Sequence, residues 1–288
     1  MAWLAAAAVL LVAAPPSFAP TRAELLGGGS VGPARTAGHV DVDFTTIRIS
    51  KDGKSLHFYG DWPARCNDGR VVTANVERVV RIQPDGSFVS AGLLSTAAVV
   101  GTFELQGRLE HKSIGGQELD VGSGTGSSEF TSRGGGTTTC KTPLVSWQVR
   151  ATPHVTGPAT PKRGAAYFGS NDQTDPVVLR VAKDGGSLVQ AGIEFGLDCR
   201  YFRFHFASDV IPGAKIARDG SFSTLQRYSS VVSSTRYRGA VARFTATLSG
   251  RFGASTAGGS LKVAVRITAK SGAVVDKCRS ATTFAASL

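Results

Sequence analysis

Apolar and polar residues alternate with a period of two along much of the chain. The clearest run is CRYFRFHF, from Cys199 to Phe206, in which Phe202 and Phe204 lie on the same face as the final Phe. The same alternation occurs in VDFTTIRI (residues 42–49), AVARFTATLSGRF (240–252) and SLKVAVRIT (260–268). An extended chain places successive side chains on opposite faces, so these segments are predicted to be β-strands. No helical periodicity follows residue 23.

Turn-forming sequences separate the predicted strands every 8 to 15 residues. They are Lys-Asp-Gly, Asp-Gly-Ser and Gly-Gly, and this spacing is typical of a sandwich or barrel. A chain of 288 residues exceeds the roughly 150 residues of one domain. The predicted fold class is therefore all-β, with two tandem antiparallel β-sandwich domains of the jelly-roll or immunoglobulin-like kind and one disulfide in each. The immunoglobulin pattern itself fits poorly, because neither unit has a Trp about a dozen residues after its first Cys.

Five sequence anchors occur twice, in the same order. They are ISKDGKSL (49–56) with VAKDGGSL (181–188), Cys66 with Cys199, DGSF (85–88) with DGSF (219–222), LQGRL (105–109) with LSGRF (248–252), and Cys140 with Cys278. Their offsets lie between 132 and 143 residues and their order is the same, which indicates one ancestral unit copied twice.

The repeated Asp-Gly-Ser-Phe segment is predicted to be a hairpin turn. Gly tolerates the positive φ of a tight turn, and Asp caps the turn with its own side chain. The competing interpretation is calcium binding by Asp85 or Asp219, but neither turn contains the repeated Asp and Asn ligands of a calcium loop.

The cysteine pairing follows from the duplication. The chain has four cysteines, and a copied domain carries its bond with it, which predicts Cys66–Cys140 and Cys199–Cys278. Pairings that link the two units remain the alternative. Such disulfides belong to an oxidising compartment.

The ends of the units are marked by changes in composition. The segments are a signal peptide (1–23, cleaved after Ala19 or Ala23), a flexible leader (24–38), unit 1 (39–152), a Pro/Gly linker (153–164) and unit 2 (165–288). The Gly/Ser/Thr-rich stretch 122–139 is predicted to be a mobile loop. The hydrophobic run of the signal peptide is too short to span a bilayer. The protein is therefore expected to be secreted to the extracellular space, the periplasm or the cell envelope.

Charge distinguishes the two units. Residues 39–153 contain 12 Lys and Arg against 12 Asp and Glu, whereas residues 162–288 contain 18 against 8. Many of these Arg residues are next to Tyr, and the pair can grip anions and stack on sugars. The candidate binding residues are Arg200, Tyr201, Arg203, Arg227, Tyr228, Arg236, Tyr237 and Arg238.

The predicted function is that of a secreted, non-enzymatic protein whose second unit binds an anionic partner. That partner would be an envelope polymer, an acidic glycan or an anionic surface, and no specific nucleic acid is expected. The simpler explanation is that the positive charge only maintains solubility. A structural or spacer role is a further alternative.

Known catalytic motifs are missing from the sequence. Residues 27–32 match G-x-G-x-x-G but lack the flanking strand and helix of a dinucleotide site. No catalytic residue, metal ligand or cofactor is therefore nominated. An enzyme acting on polysaccharide between the units is the alternative. Asp61 beside Trp62 and Glu194 beside Phe195 are acids next to aromatic residues, but nothing in the sequence nominates a catalytic pair.

The anchor order K-D-G, C, D-G-S-F, G-R-[LF], C, found twice, resembles exported bacterial proteins of uncharacterised function that are built from tandem β-sandwich-like units. The resemblance covers most of residues 40–288 and depends on turn, cysteine and core positions. It implies no catalytic residues.

Overall fold

The computed structural model describes residues 24–31, 42–95, 99–132, 138–201, 207–232 and 239–288. Within these ranges the regular structure is entirely β-strand, in two antiparallel sheets. None of the described residues belongs to a helix long and apolar enough to cross a membrane. The predicted signal peptide, residues 1–23, lies outside the described residues.

Unit 1 contributes the first eight strands: β1 (Leu25–Val31), β2 (Val42–Ile49), β3 (Ser55–Cys66), β4 (Val71–Arg81), β5 (Ser87–Ser95), β6 (Val99–Ile114), β7 (Gln117–Ser132) and β8 (Thr139–Ala151). Unit 2 contributes the rest: β9 (Ala166–Asn171), β10 (Pro176–Val181), β11 (Ser187–Phe195), β12 (Asp198–Cys199), β13 (Ala207–Lys215), β14 (Ser221–Val231), β15 (Val241–Phe252), β16 (Thr256–Thr268) and β17 (Val274–Ser287).

Both sheets have the same strand order. Unit 1 runs β4-β3-β2-β1-β8-β7-β6-β5, and unit 2 runs β13-β11-β10-β9-β17-β16-β15-β14 with β12 paired to β17. Most strands pair with their neighbours in sequence, and the first strand of each unit pairs with the last, β1 with β8 and β9 with β17. The exceptions are β4 and β5, and β13 and β14, which lie at the two ends of their sheets. The expected jelly-roll or immunoglobulin-like connections do not occur in this order, because the described strands of each unit form one continuous sheet. Alternation predicts strands but not which strands pair, so the sequence could not distinguish these arrangements.

Each sheet curls around its own core. In unit 1, β3 is separated from β8 by β2 and β1, yet it pairs directly with β8 where Cys66 lies opposite Cys140. The two edges, β4 and β5, also approach each other. Arg78 on β4 donates from Nη2 to the Leu93 carbonyl on β5 at 2.7 Å, and its guanidinium lies 4.3 Å from the centre of the Phe103 ring.

The disulfides link Cys66 to Cys140 and Cys199 to Cys278, which confirms the predicted pairing. Each bond joins directly opposed residues of two strands, β3 with β8 in unit 1 and β12 with β17 in unit 2. They therefore occupy the same place in both sheets. Closing loops of 74 and 79 residues stabilises each unit by roughly 4 kcal/mol in the chain-entropy model.

The Gly-rich stretch 122–139 differs from its prediction as a loop, because most of it is strand β7. Its inward positions face the largest rings of the core. A Cβ on Gly124 would lie 2.4 Å from the Trp147 ring, and a Cβ on Gly126 would lie 2.1 Å from the Trp62 ring. Glycine is needed here to make room for two fully buried indoles. Residues 133–137 lie outside the described residues.

The repeated Asp-Gly-Ser-Phe and Gly-Arg segments form one structural module. Phe88 lies opposite Gly107, and Asp85 pairs with Arg108 at 2.8 Å. The Asp85 carboxylate also accepts hydrogen bonds from the Ser87 amide at 3.1 Å and the Ser87 hydroxyl at 2.6 Å.

Unit 2 repeats this module at Asp219, Ser221, Phe222, Gly250 and Arg251. Gly86 and Gly220 have φ of 82° and 79°, which only glycine adopts at low cost. The turn interpretation accounts for both copies.

The expected flexible leader contains strand β1, which lies in the middle of sheet 1 and against unit 2. A Cβ on Gly27 would be 2.5 Å from the Gly169 carbonyl oxygen of β9. Two hydrogen bonds join the units near this contact. Arg150 Nε donates to the Leu288 carbonyl at 2.8 Å, and the Thr152 and Ser170 hydroxyls lie 2.6 Å apart. The backbones of the two units therefore approach closely where neither carries a side chain.

The Pro/Gly linker contains no strand or helix, and its backbone is hydrogen-bonded to both units. His154 exchanges two 2.7 Å hydrogen bonds with the Gln117 side chain of unit 1, and the Ala159 amide donates to Phe252 of unit 2 at 2.9 Å. The linker thus holds the units in a fixed relation.

We expect Gly27→Ala to destabilise the protein by about 1–3 kcal/mol, because the added methyl group overpacks the contact with Gly169. Gly157→Ala is the control, since a Cβ there would contact nothing within 4 Å. Chemical denaturation of both variants tests this expectation. Equal stabilities would show that the contact between the units is not close-packed in solution.

Candidate functional site

A row of cations crosses the outer face of unit 2. Arg243 on β15 lies opposite Arg266 on β16, and Arg266 lies opposite Lys277 on β17. All three side chains are exposed. Like charges placed directly opposite each other destabilise a sheet, so this row is an unfavourable arrangement unless something negative covers it.

In the next row of opposed residues on the same face of the sheet, the two central side chains are small and the two outer side chains are basic. Thr245 and Ala264 lie between Arg227 on β14 and Arg279 on β17. The short side chains leave an open hollow of about 740 Å³. We call it the basic hollow; its lining is Asp198, Arg200, Arg243, Thr245, Ala264, Val265, Arg266, Lys277, Cys278 and Arg279.

Acidic residues are nearly missing from the basic hollow. Among the described residues of its lining the only acid is Asp198, which faces Arg279 at 3.5 Å with both side chains largely exposed. Such an exposed pair contributes little. The segments 202–206 and 233–238, which lie outside the described residues, contain no Asp or Glu in their sequence.

Arg200 is held at the hollow by a buried carboxylate. Asp276 accepts hydrogen bonds from the backbone amides of Arg200 (3.2 Å), Tyr201 (3.0 Å) and Lys277 (2.7 Å). The turn after β12 is thereby fixed beside β17. The Arg200 guanidinium lies 5.0 Å from the centre of the Tyr201 ring, within cation–π range.

The equivalent positions of unit 1 are uncharged or paired. Val100, Thr131 and Thr139 lie opposite one another on β6, β7 and β8, in the place of the three cations. In the next row Glu129 and Lys141 form a 2.9 Å ion pair, where unit 2 has Ala264 and Arg279. Of the two sets of equivalent positions, only the one in unit 2 therefore places three cations opposite one another.

The structure separates the residues that the sequence nominated. Arg200, Tyr201 and Arg227 lie at or beside the basic hollow, whereas Tyr228 lies on the inner side of β14 and stacks on Phe244 with ring centres 4.6 Å apart. The remaining candidates, Arg203, Arg236, Tyr237 and Arg238, lie outside the described residues.

Sequence reasoning missed Arg266, Lys277 and Arg279, because it searched for Arg next to Tyr. The alternation of residue types along these strands already indicated which cations share a face. In SLKVAVRIT the positions of Lys262 and Arg266 share a face, and Lys277 and Arg279 flank Cys278. Pairing of the two strands brings these residues together, and pairing was not readable from the sequence.

A second candidate site lies between the units. The outer faces of β2, β3 and β4 meet the β9–β10 turn and β11 around a cleft of about 530 Å³. We call it the interunit cleft; its lining is Leu25, Thr46, Arg48, His57, Tyr59, Asp61, Glu77, Thr174, Asp175, Pro176 and Glu194. Asp61 and Glu194, the two acids that the sequence connected with a polysaccharide enzyme, both lie here.

Burial changes the acidity of the cleft. Desolvation raises the pKa of Asp61 and of Asp175 to about 6 in each case. Desolvation, with the nearby charges of Asp61 and Asp175, raises the pKa of Glu194 to about 8. Desolvation and the charge of Asp61 raise the pKa of Tyr59 to about 12. Perturbed acids collected in a cleft are a common feature of functional sites.

Some of the side chains that line the cleft already have hydrogen-bond or ion-pair partners within unit 1. Asn75 donates to Asp61 at 2.7 Å, and His57 lies 2.8 Å from Glu77. At the rim, Thr174 has a φ of 71°, a conformation that β-branched residues rarely adopt.

Comparisons with known proteins add little to this description. No family model and no curated protein matches the chain. Among solved structures, a "putative AttH" from Nitrosomonas europaea is 10% identical, covers 91% of each chain and gives a TM-score of 0.25. A TM-score of that size carries no argument about fold or function.

We expect the stability of the protein to fall as the pH rises from about 4 to above 8. The raised pKa values of Asp61, Asp175 and Glu194 mean that the folded state holds protons which the unfolded state releases. Their stabilising contribution is complete below the unfolded values near 4. It is lost as the pH rises through about 6 for the two Asp residues and about 8 for Glu194.

Thermal unfolding of the wild type, Glu194→Gln and Glu118→Gln between pH 5 and pH 9 tests this dependence. Glu194→Gln should have the higher midpoint at pH 9 and a flatter profile. Glu118→Gln, an exposed position on β7, should follow the wild type. Parallel profiles for all three proteins would contradict the burial of an acid at position 194.

Proposed function

We propose that the protein is exported and non-enzymatic, and that it binds an anionic partner through the basic hollow of unit 2. The partner is an envelope polymer, an acidic glycan or another repetitive anionic surface. The observation that carries the proposal is the row of Arg243, Arg266 and Lys277, opposed in register in a hollow whose described lining contains only one acid, Asp198.

A polymeric ligand suits the geometry of the row. Adjacent strands lie about 4.8 Å apart, so three opposed residues present positive charge over about 10 Å on an open face. Arg binds carboxylate and phosphate groups with two parallel hydrogen bonds. Repeated anions along one chain would relieve the repulsion between the three cations and gain these contacts together.

The two disulfides support an oxidising, non-cytoplasmic location. Secretion through the predicted signal peptide is the route that we propose. Envelope polymers and acidic glycans are the polyanions of that location.

The matched strand orders, modules and disulfides support the proposal that one unit was duplicated. After duplication, the core and the turns of both copies would be retained. The outer face of β15, β16 and β17 in the second copy would then have acquired the cations. A spacer whose charge only maintains solubility gives no reason for this difference between equivalent positions.

Binding to sodium polygalacturonate and to inorganic polyphosphate at low and moderate salt tests the proposal. We expect binding that weakens as salt rises. Replacing the row by R243Q, R266Q and K277Q in one variant should weaken binding about tenfold or more, because three contacts of about 0.5–1 kcal/mol each are lost.

The matched control is K51Q, K54Q and R81Q, which removes three exposed cations from unit 1 and the same net charge. Equal losses in the two variants would show that net charge acts rather than the basic hollow. Binding of neither polymer at low salt would also contradict the proposal.

A further inference from the structure

The interunit cleft has a charge opposite to that of the rest of the protein. The chain carries a formal net charge of +11, yet four carboxyl groups and only one Arg line the cleft. The charged and titratable groups that face Glu194 come from β2, β3, β4 and the β9–β10 turn. They are Arg48, His57, Tyr59, Asp61, Glu77 and Asp175.

Glu194 is buried without a partner for its carboxyl group. Its side chain lines the cleft and the residue is only 8% exposed. Within the described part of the chain no donor reaches its carboxyl oxygens, whereas its backbone carbonyl accepts a hydrogen bond from Asn171 at 2.8 Å. The carboxyl group therefore faces the cleft with both oxygens available as acceptors for a ligand.

A second buried side chain on the same face of β11 also lacks partners. Gln190 is 1% exposed, and neither its amide nitrogen nor its oxygen has a hydrogen-bond partner among the described residues. It lies four residues before Glu194 in β11 and is not among the residues that line the cleft. Two buried side chains on the outer face of β11 thus lack a hydrogen-bond partner among the described residues.

A bare metal ion does not fit this arrangement. Metal ligands must converge on one point, but the carboxyl groups of Asp61, Asp175 and Glu194 do not form a set of ligand atoms within 4.8 Å of one another among the described residues. A neutral sugar fits in size, but its hydroxyl groups bring no charge to offset several carboxylates. A protonated amine brings both the charge and three donors that point in different directions.

We propose that the interunit cleft binds a compact organic cation with one or two protonated amino groups. One ammonium group bridges the Glu194 carboxylate of unit 2 and the Asp61 carboxylate of unit 1, with Asp175 beside them. The volume of about 530 Å³ lies within the range of small-ligand pockets, about 300–1,000 Å³.

Binding of such a cation is linked to proton release. Burial in the cleft raises the pKa of Glu194 to about 8, so the carboxyl group is largely protonated at neutral pH. An ammonium beside the carboxyl group favours its ionised form, so the amine displaces a proton from Glu194 to the buffer. The apparent affinity should therefore rise with pH until Glu194 is ionised in the free protein.

Isothermal titration of the full-length protein with 1,4-diaminobutane and with spermidine at pH 6.5, 7.5 and 8.5 tests the proposal. Both probes stay protonated across this range, because alkylamines resemble Lys, with a pKa near 10. We expect the affinity to rise by up to tenfold per pH unit below about pH 8. Proton release should appear as a binding heat that depends on the ionisation enthalpy of the buffer.

Two variants distinguish amine binding in the interunit cleft from nonspecific electrostatic attraction to the protein surface. Glu194→Gln should weaken amine binding at least tenfold at pH 8.5 and remove the pH dependence. It should remain folded, because it removes a buried acid. Glu118→Gln, which alters an exposed carboxyl group on β7, should bind as the wild type does.

Three results would overturn the proposal. They are the absence of amine binding at pH 8.5, equal binding of the uncharged analogue 1,4-butanediol, and Glu194-dependent hydrolysis of a neutral polysaccharide without amine binding. The last result would instead identify the cleft as the polysaccharide-active site. None of these results depends on the basic hollow, so the two proposals fail independently.

Discussion

Aromatic rings that rest directly on glycine backbone determine the shape of both units. In unit 1 the Phe88 and Trp147 rings lie within 3 Å of where a Cβ on Gly107 would be, and in unit 2 Phe222 and Gly250 repeat the contact. A side chain at either glycine would separate the ring from the sheet. Because the rings fill the space so closely, each unit can curl a single sheet of eight or nine strands around one core, and its outer face is left available for other partners.

The two units have the same internal architecture but different outer faces. Their strand order, disulfide positions and turn modules are the same, since each is needed to close the curled sheet. Outward positions are free of that requirement. At these positions unit 1 has an ion pair between Glu129 and Lys141, whereas unit 2 has opposed cations. The outer face is therefore where we locate the difference in function.

Docking of the units creates a second environment with the opposite charge. Gly27 and Gly169 allow the backbones to approach closely, and that approach buries Asp61, Asp175 and Glu194 around one cleft. Their raised pKa values are a consequence of this burial rather than of any local sequence. The basic hollow and the acidic cleft thus differ in charge, and we propose that they bind ligands of opposite sign.

Local patterns in the sequence determined the β class, the paired cysteines and the Asp-Gly-Ser-Phe turns, because alternation, turn chemistry and repetition each act over a few residues. The glycines of β1 and β7 led to the prediction of a flexible leader and a mobile loop, where the structure has strands. Their role is to make room for Phe168, Trp62 and Trp147, which are distant in sequence. Strand pairing brought Arg266 and Lys277 together, and docking of the units brought Asp61 to Glu194. Such contacts depend on register and on close packing between distant segments, so only the tertiary structure could decide them.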